Sequence, residues 1–422
     1  MQQNKSHGRA PADMNKQQAG AAKKQRTLKP GPRFSAILYK NPGPVSGGFV
    51  ANLTIILVFG LIMLFSASYA TGFYRFHDSY HYIRPQLFFA LIGLVLMWAA
   101  SRFDYHILKD FAWVAYGLSL ALLCFVFTQE PIKGCKRWIH IKHLGTIQPS
   151  EIAKFAIILL IAYLYSRYGD KKIKTFTYGA LSPAIWALII MVLLYFEPHN
   201  SAMVLIAVIA ASIMFAGGCK FRWFALVALA GGGGIAGIIY LTPGYVQERL
   251  SGWLDPFADM ADSTLQTGQS LYTIGAGGLF GVGIGNSVQK HSWLPEAQND
   301  FIFSILCEEL GFVGAVVCIF LFAMLIVQGI IIAVRAPDQF GFFLVIGIVA
   351  QVAFHFLFIV AVVSNLLPNT GISLPFFSSG GTSLVMLLCE MGIVLSVSRA
   401  GNKQRMQQQE EKTSQQEIEP AE

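Results

Sequence analysis

Long apolar stretches separated by short polar breaks recur along this chain from about Phe49 to Val397. Runs of about 17–25 apolar residues are long enough to cross a bilayer as helices. By that measure the pattern predicts spans near 48–72, 85–101, 110–128, 150–167, 178–196, 201–217, 221–241, 301–334, 340–363 and 376–398. Ten spans are an even number, so both termini lie on one side of the membrane. Residues 1–46 are rich in Gln, Lys, Ala and Pro with little to bury, which predicts a disordered basic tail. Residues 401–422 form a second polar tail. Between them, 47–400 is expected to be one all-α, polytopic membrane domain.

Basic residues orient the spans, because cytoplasmic loops carry the excess of Lys and Arg. With the tails inside, the inner segments hold Arg102 and Lys109, then Arg167, Lys171, Lys172 and Lys174, then Lys220 and Arg222, then Arg335, and finally Arg399, Lys403 and Arg405. Two longer segments fall outside. The 129–149 loop breaks the rule by placing Lys133, Lys136, Arg137 and Lys142 outward. An anionic ligand held by charge-assisted hydrogen bonds would explain that, and so would a loop merely tolerated there. The 242–300 loop is far too long for a turn, and loops of that kind are usually functional or disordered. Trp253, Phe257, Leu271, Phe280 and Trp293 argue for order, and Ser270–Gly285 reads as a short or re-entrant helix followed by glycine-permitted turns. No strand precedes its glycines, which excludes a dinucleotide-binding reading.

Composition agrees with the pattern. The chain is 54% hydrophobic and 13% charged, with a mean hydropathy of +0.53, where soluble domains carry about 25% charged residues. Much of its net charge of +8 comes from Lys5, Arg9, Lys16, Lys23, Lys24, Arg26, Lys29, Arg33 and Lys40 before the first span. That placement suits anionic membrane lipid rather than nucleic acid. The first apolar run follows a tail longer than a signal peptide's n-region, so the first span is expected to stay as an anchor. No CxxC pair, HExxH or Cys/His cluster appears, so a zinc site is not expected, and a carboxylate-bound divalent cation is left open.

The stretch Ser292–Gly314 gathers three acids where a membrane span begins: Asp300, Glu308 and Glu309. A carboxylate in hydrocarbon costs several kcal/mol, so such groups face a protein interior or a wet cavity. For Asp300 a helix N-cap is the competing reading. Glu308 lies eight residues on, about 12 Å deeper at 1.5 Å per residue. It and Glu309 point about 100° apart and are expected to make structural pairs with different neighbours.

Several stretches resemble one known family. They are Leu294–Phe303 followed by Glu308-Glu-Leu-Gly311, Pro368–Ser383, Ser66-Ala-Ser68, Arg137-Trp138 with Gly145 and Gln148–Lys154, Gln266 with Gln269-Ser270, and Val397-Ser-Arg399. In this order they resemble the signatures of the SEDS proteins (shape, elongation, division and sporulation) over about 48–400. The Pro-Glu-Ala form at 295–297 is closer to the FtsW and SpoVE branch than to RodA. The resemblance implies ten transmembrane helices in the bacterial cytoplasmic membrane and peptidoglycan glycosyltransferase activity on lipid II, releasing undecaprenyl diphosphate. It also implies a class B penicillin-binding protein as transpeptidase partner, among other divisome or elongasome proteins. Four positions depart from the family's pattern. His199 stands where the family commonly has Asp, Ser379 where it has Tyr, and His355 and Ile359 where it often has Gln and Asn.

Joining a sugar 4-hydroxyl to an anomeric carbon requires a base for the hydroxyl proton and cations for the departing diphosphate. Asp300 is the candidate base, at the outer level. Lys154 enters the fourth helix from the same side and is expected to reach Asp300, although Glu151, three residues earlier, is a competing partner. Arg137 and Lys136 are the diphosphate candidates. Glu151, Gln266, Gln269, Ser378, Ser379 and Thr382 are further substrate-binding candidates, the last three as hydroxyls lining an outer cavity. Two other functions stay open. A lipid-linked-precursor flippase or other transporter would translocate without polymer growth, and a non-catalytic scaffold would tolerate replacement of Asp300.

Overall fold

The computed structural model describes residues 43–130, 136–141, 145–197, 199–226, 228–229, 252–258, 264–291, 293–369 and 371–418. Its helices are α1 (Gly47–Phe76), α2 (Ile83–Ala100), α3 (Ile107–Val126), α4 (Pro149–Ile173), α5 (Ser182–Phe196, entered through a π turn at Thr177–Leu181), α6 (Asn200–Ala216), α7 (Leu265–Ala276), α8 (Ile302–Val334), α9 (Gln339–Val363) and α10 (Gly381–Ile418). Eight described helices are long and apolar enough to cross a membrane, and α6 is apolar but shorter. Of the expected span at 221–241, residues 221–226 and 228–229 are helical, and the rest lies outside the described residues. A small hairpin not anticipated from the sequence joins β1 (Ile139–Ile141) to β2 (Gly145–Ile147), pairing Ile139 with Ile147 antiparallel. Three-residue strands are too short to leave a periodic signal.

Helix α4 is the most enclosed span. It is 78% buried over its apolar window, against 22% for α2 and α3, and packs on α3, α9 and α6. Its N-terminal residues Glu151 and Lys154 are therefore committed to the protein interior. On the flank, α2 lies along α10 and α1 along α8. The last helix begins at Gly381 rather than 376, because Pro375 and the left-handed Phe376 (φ 66°) keep the preceding residues in turns. It then continues through the polar tail to Ile418.

The eighth span is interrupted. Gly311 takes φ 66° and ψ −165°, which breaks α8 roughly 14 Å from its start. Within a membrane the carbonyls so released need new donors. They find them in the segment after α7: Val282 and Gly283 donate to the carbonyls of Glu308 and Glu309 at 2.9 Å each, while Phe312 and Val313 donate to Gly278 and Leu279 at 2.9 and 3.1 Å. Backbone meets backbone here. A Cβ on Gly311 would lie 2.4 Å from the Gly281 nitrogen, and one on Gly281 would lie 2.2 Å from the Glu309 carbonyl. The expectation of a short helix followed by glycine turns is thus met by α7 and a loop that re-enters the bundle.

Candidate functional site

The acids of α8 take different partners. Glu308 accepts from the Ser287 hydroxyl and from the Val288 amide. Glu309 accepts from Lys290 Nζ at 2.6 Å and from Ser66, with Lys290 also 4.7 Å above the Tyr69 ring. Lys290 and Glu309 are fully buried. Lys290 was missed in the sequence, although it is the only lysine in the 242–300 loop and Glu309 needs a counter-charge. The pair ties the re-entrant loop to α1 and α8, and Asp300 follows ten residues later.

Asp300 is half-buried in the turn leading into α8. Phe301 is the N-cap, so Asp300 sits one position too early for that role. Around it, the 371–380 loop is stapled to the 298–299 backbone. Ser379 donates its amide to the Gln298 carbonyl at 3.0 Å, and the Ser378 hydroxyl donates to the Asn299 carbonyl at 2.5 Å while accepting from the Leu374 amide. Gln86 of α2 reads the same loop, donating to the Ser378 carbonyl and accepting from the Gly380 amide at 3.2 Å each. At the other end of the loop Gly371 adopts φ 69°, and a Cβ there would lie 3.4 Å from Asp300 Oδ2. Gln266 on α7 accepts from Asn369, which in turn accepts from the Gly371 amide. Gln266 therefore acts on the loop beside Asp300. Gln269 is half-buried one turn along, and its carbonyl accepts from Thr273.

Lys154 does not pair with Asp300. Its ammonium donates to Glu151 Oε1 at 2.8 Å and lies 3.1 Å from His355 Nε2. The i,i+3 spacing offers a carboxylate on the same helix face. A cavity of about 40 Å³ is lined by Gln148, Glu151, Lys154, His199, His355 and Gly371, among others. Gly371 thus borders both this cavity and Asp300. Two of the positions that depart from the family's pattern, His199 and His355, meet here.

A second cavity of about 230 Å³ opens beside the first, lined by His81, Gln86, Trp138, Ser379, Thr382 and Ser383, among others. Ser379 and Thr382 face it as expected. Ser378 does not, because its hydroxyl is taken up by the staple to Asn299 and Leu374. Ser383, missed in the sequence, donates to Glu151 Oε2 at 3.3 Å. Glu151, which lines the first cavity, is thereby tied to a residue that lines the second.

The basic loop is pinned to neighbouring helix ends. Lys136 is exposed and donates to the Phe127 carbonyl at 2.9 Å, and Arg137 Nε donates to the Glu197 carbonyl at 3.3 Å. Lys133 and Lys142 lie outside the described residues. Burial pushes the Glu197 carboxyl up to about 8 against the opposing charge of Arg137. Burial, together with Arg137 and Lys154, holds His199 down to about 3. No group of three or more His, Cys, Asp or Glu residues that could hold a metal occurs among the described residues.

Fold and site together define a multi-pass membrane protein whose outer helix ends enclose a half-buried acid, a buried Lys–Glu pair and two polar cavities. Comparison with known proteins gives the family. The chain belongs to the cell cycle proteins grouped as FtsW, RodA and SpoVE, matching that family over residues 48–403. It is 38% identical over 348 residues to a probable peptidoglycan glycosyltransferase FtsW of Geobacter sp. (strain M18), covering 82% of this chain and 94% of that protein. Stage V sporulation protein E of Bacillus subtilis (strain 168) is 35% identical over 353 residues, covering 82% and 94%. Among solved structures, one described as showing how a peptidoglycan synthase complex coordinates polymerization and crosslinking superposes with a TM-score of 0.71 at 27% identity, over 85% of this chain and 98% of that one. The rod shape determining protein RodA of Thermus thermophilus shares the fold, with a TM-score of 0.60 at 24% identity over 87% of this chain and 98% of that one. Membership places the chain in the cytoplasmic membrane as a multi-pass protein.

Proposed function

We propose that this chain is a peptidoglycan glycosyltransferase that polymerises lipid II at the outer face of the cytoplasmic membrane, with Asp300 as general base. The carrying observation is the placement of Asp300. It directly follows the stapled 298–299 backbone and lies beside Gly371, which also borders the cavity of the Glu151–Lys154 pair. Asp300 takes the proton of the acceptor 4-hydroxyl as that oxygen attacks the anomeric carbon of a second lipid II, and undecaprenyl diphosphate leaves. Lys154, Arg137 and Lys136 supply positive charge for the growing diphosphate. Glu151 keeps Lys154 in place as a charged group, and Ser379 and Thr382 offer hydroxyls to the sugars. The names of the FtsW relatives support the reaction, and the synthase-complex similarity supports a class B penicillin-binding protein as the partner that cross-links the product.

The test supplies purified protein with labelled lipid II, with and without a class B penicillin-binding protein, and resolves glycan chains on a gel. Wild type should make polymer, and Asp300→Asn should lose about 10²–10⁴-fold, the usual contribution of general-base catalysis. Polymer growth by Asp300→Asn at the wild-type rate would remove Asp300 from the mechanism. Lipid translocation without polymer from the wild type would favour a flippase.

A further inference from the structure

A third cavity lies at the opposite, inner end of the bundle, where the outer site has no use for it. Its volume is about 340 Å³, and its lining includes Ser46, Gln328, Ile332, Arg335, Ser398 and Asn402. Three helices reach their cytoplasmic ends here: α1 starts, α8 stops, and α10 leaves the membrane.

The polar features of this cavity are mostly donors, the exception being Gln328 Oε1, a buried acceptor with no hydrogen-bond partner among the described residues. Helix α1 starts at Gly47 behind Ser46, whose side chain makes no capping hydrogen bond. The amides of its first turn therefore lack both a helical acceptor and a cap, and they sit at the positive end of a 30-residue helix. A Cβ on Gly47 would meet nothing within 4 Å, while one on Gly48 would lie 3.5 Å from Gln328 Nε2, a further donor beside this turn. Ser398 is only 6% exposed and lines the cavity, yet its hydroxyl has no partner among the described residues. The Arg335 guanidinium, at the C-cap of α8, likewise forms no hydrogen bond or ion pair among them. No Asp or Glu lines the cavity. Its wall is firm, because Asn402 donates to the Pro44 carbonyl at 2.8 Å and Gly43 lies against the backbone of α10 at Arg399 and Lys403.

We propose that this cavity binds the phosphodiester headgroup of an anionic phospholipid in the inner leaflet. Helix N-termini with a nearby arginine match phosphate oxygens in charge and geometry. Inorganic phosphate would satisfy the same donors. The lipid is favoured because Ile331, at 40% exposure, lines the cavity, and the exposed Val327, Ile330 and Val334 continue from it along α8 as a surface for acyl chains.

Full-length protein is titrated in detergent with phosphatidylglycerol, phosphatidylcholine or inorganic phosphate, and bound ligand is counted by native mass spectrometry beside thermal shifts. Phosphatidylglycerol should bind most tightly. Arg335→Gln should weaken it roughly ten-fold, as loss of one charge-assisted contact does, and Ser398→Ala should weaken it by a smaller factor. Lys171→Gln removes an exposed inner charge elsewhere and should change nothing. The proposal is overturned by equal losses in Lys171→Gln and Arg335→Gln, by phosphatidylcholine binding as tightly as phosphatidylglycerol, or by a response to inorganic phosphate alone. Should Arg335→Gln fail to fold, Ser398→Ala decides, since unchanged phosphatidylglycerol binding by that variant overturns the site.

Discussion

Replacing Lys290 with Met isolates what the buried ion pair does. Lys290 and Glu309 are each 0% exposed and 2.6 Å apart, and Glu309's remaining donor is the Ser66 hydroxyl. Removing the ammonium strands a carboxylate inside the bundle, and breaking a buried pair in this way costs about 3–5 kcal/mol. Glu309→Gln should cost less, by up to about 2 kcal/mol, because the stranded ammonium keeps the face of Tyr69 at 4.7 Å. With both charges gone, the double variant should recover stability relative to Lys290→Met, with an interaction energy of about 2–3 kcal/mol. Reversible unfolding in mixed micelles of a mild detergent and sodium dodecyl sulfate, followed by tryptophan fluorescence, measures all four proteins. Since the pair anchors the segment that leads to Asp300, Lys290→Met should also lose polymerisation. The reasoning fails if Lys290→Met unfolds with wild type, or if the double variant is no more stable than that single one.

Other outcomes follow from the same contacts. Lys154→Met and Glu151→Gln should each lower polymerisation roughly 10²–10³-fold, as loss of one transition-state contact does, and their combination should be no worse than either alone; additive losses in single-turnover assays would separate the two residues. Gly311→Ala should destabilise by more than Gly285→Ala, because both have positive φ but only Gly311 abuts the facing backbone; the strain alone amounts to about 1–3 kcal/mol, and equal melting temperatures would refute the difference. At the cytoplasmic face, burial lowers the pKa of His106, but hydrogen bonds to Asp104 and Asp338 outweigh it and raise the imidazole from 6.5 to about 9. A raised pKa means stabilisation that is fully present below 6.5 and lost as pH climbs through about 9. The melting temperature of wild type should therefore exceed that of His106→Gln below 6.5, and the gap should close at alkaline pH; a gap that widens there would reverse the sign.

Spans other than the one at 221–241 were legible in the sequence, because hydrocarbon tolerates only closed backbone hydrogen bonding and each such helix must carry a long apolar run. The long signature stretches identified the family for a related reason, since each keeps many residues in register. The glycine turns after α7 were legible too, as positive φ is written locally into the residue type. Pairings were a different matter. Glu151–Lys154 was one of two readings, and deciding for it required the packing that sets the Lys154 ammonium 2.8 Å from Glu151 and 3.1 Å from His355 of α9. Lys290–Glu309, Ser378–Asn299 and Gln86–Ser378 join residues 19, 79 and 292 positions apart. No local periodicity encodes a contact of that kind. Gly311 shows the same limit within one helix: a glycine in an apolar run is compatible with an unbroken span, and only the loop docked against it, with donors placed at the Glu308 and Glu309 carbonyls, makes the break the lower-energy arrangement.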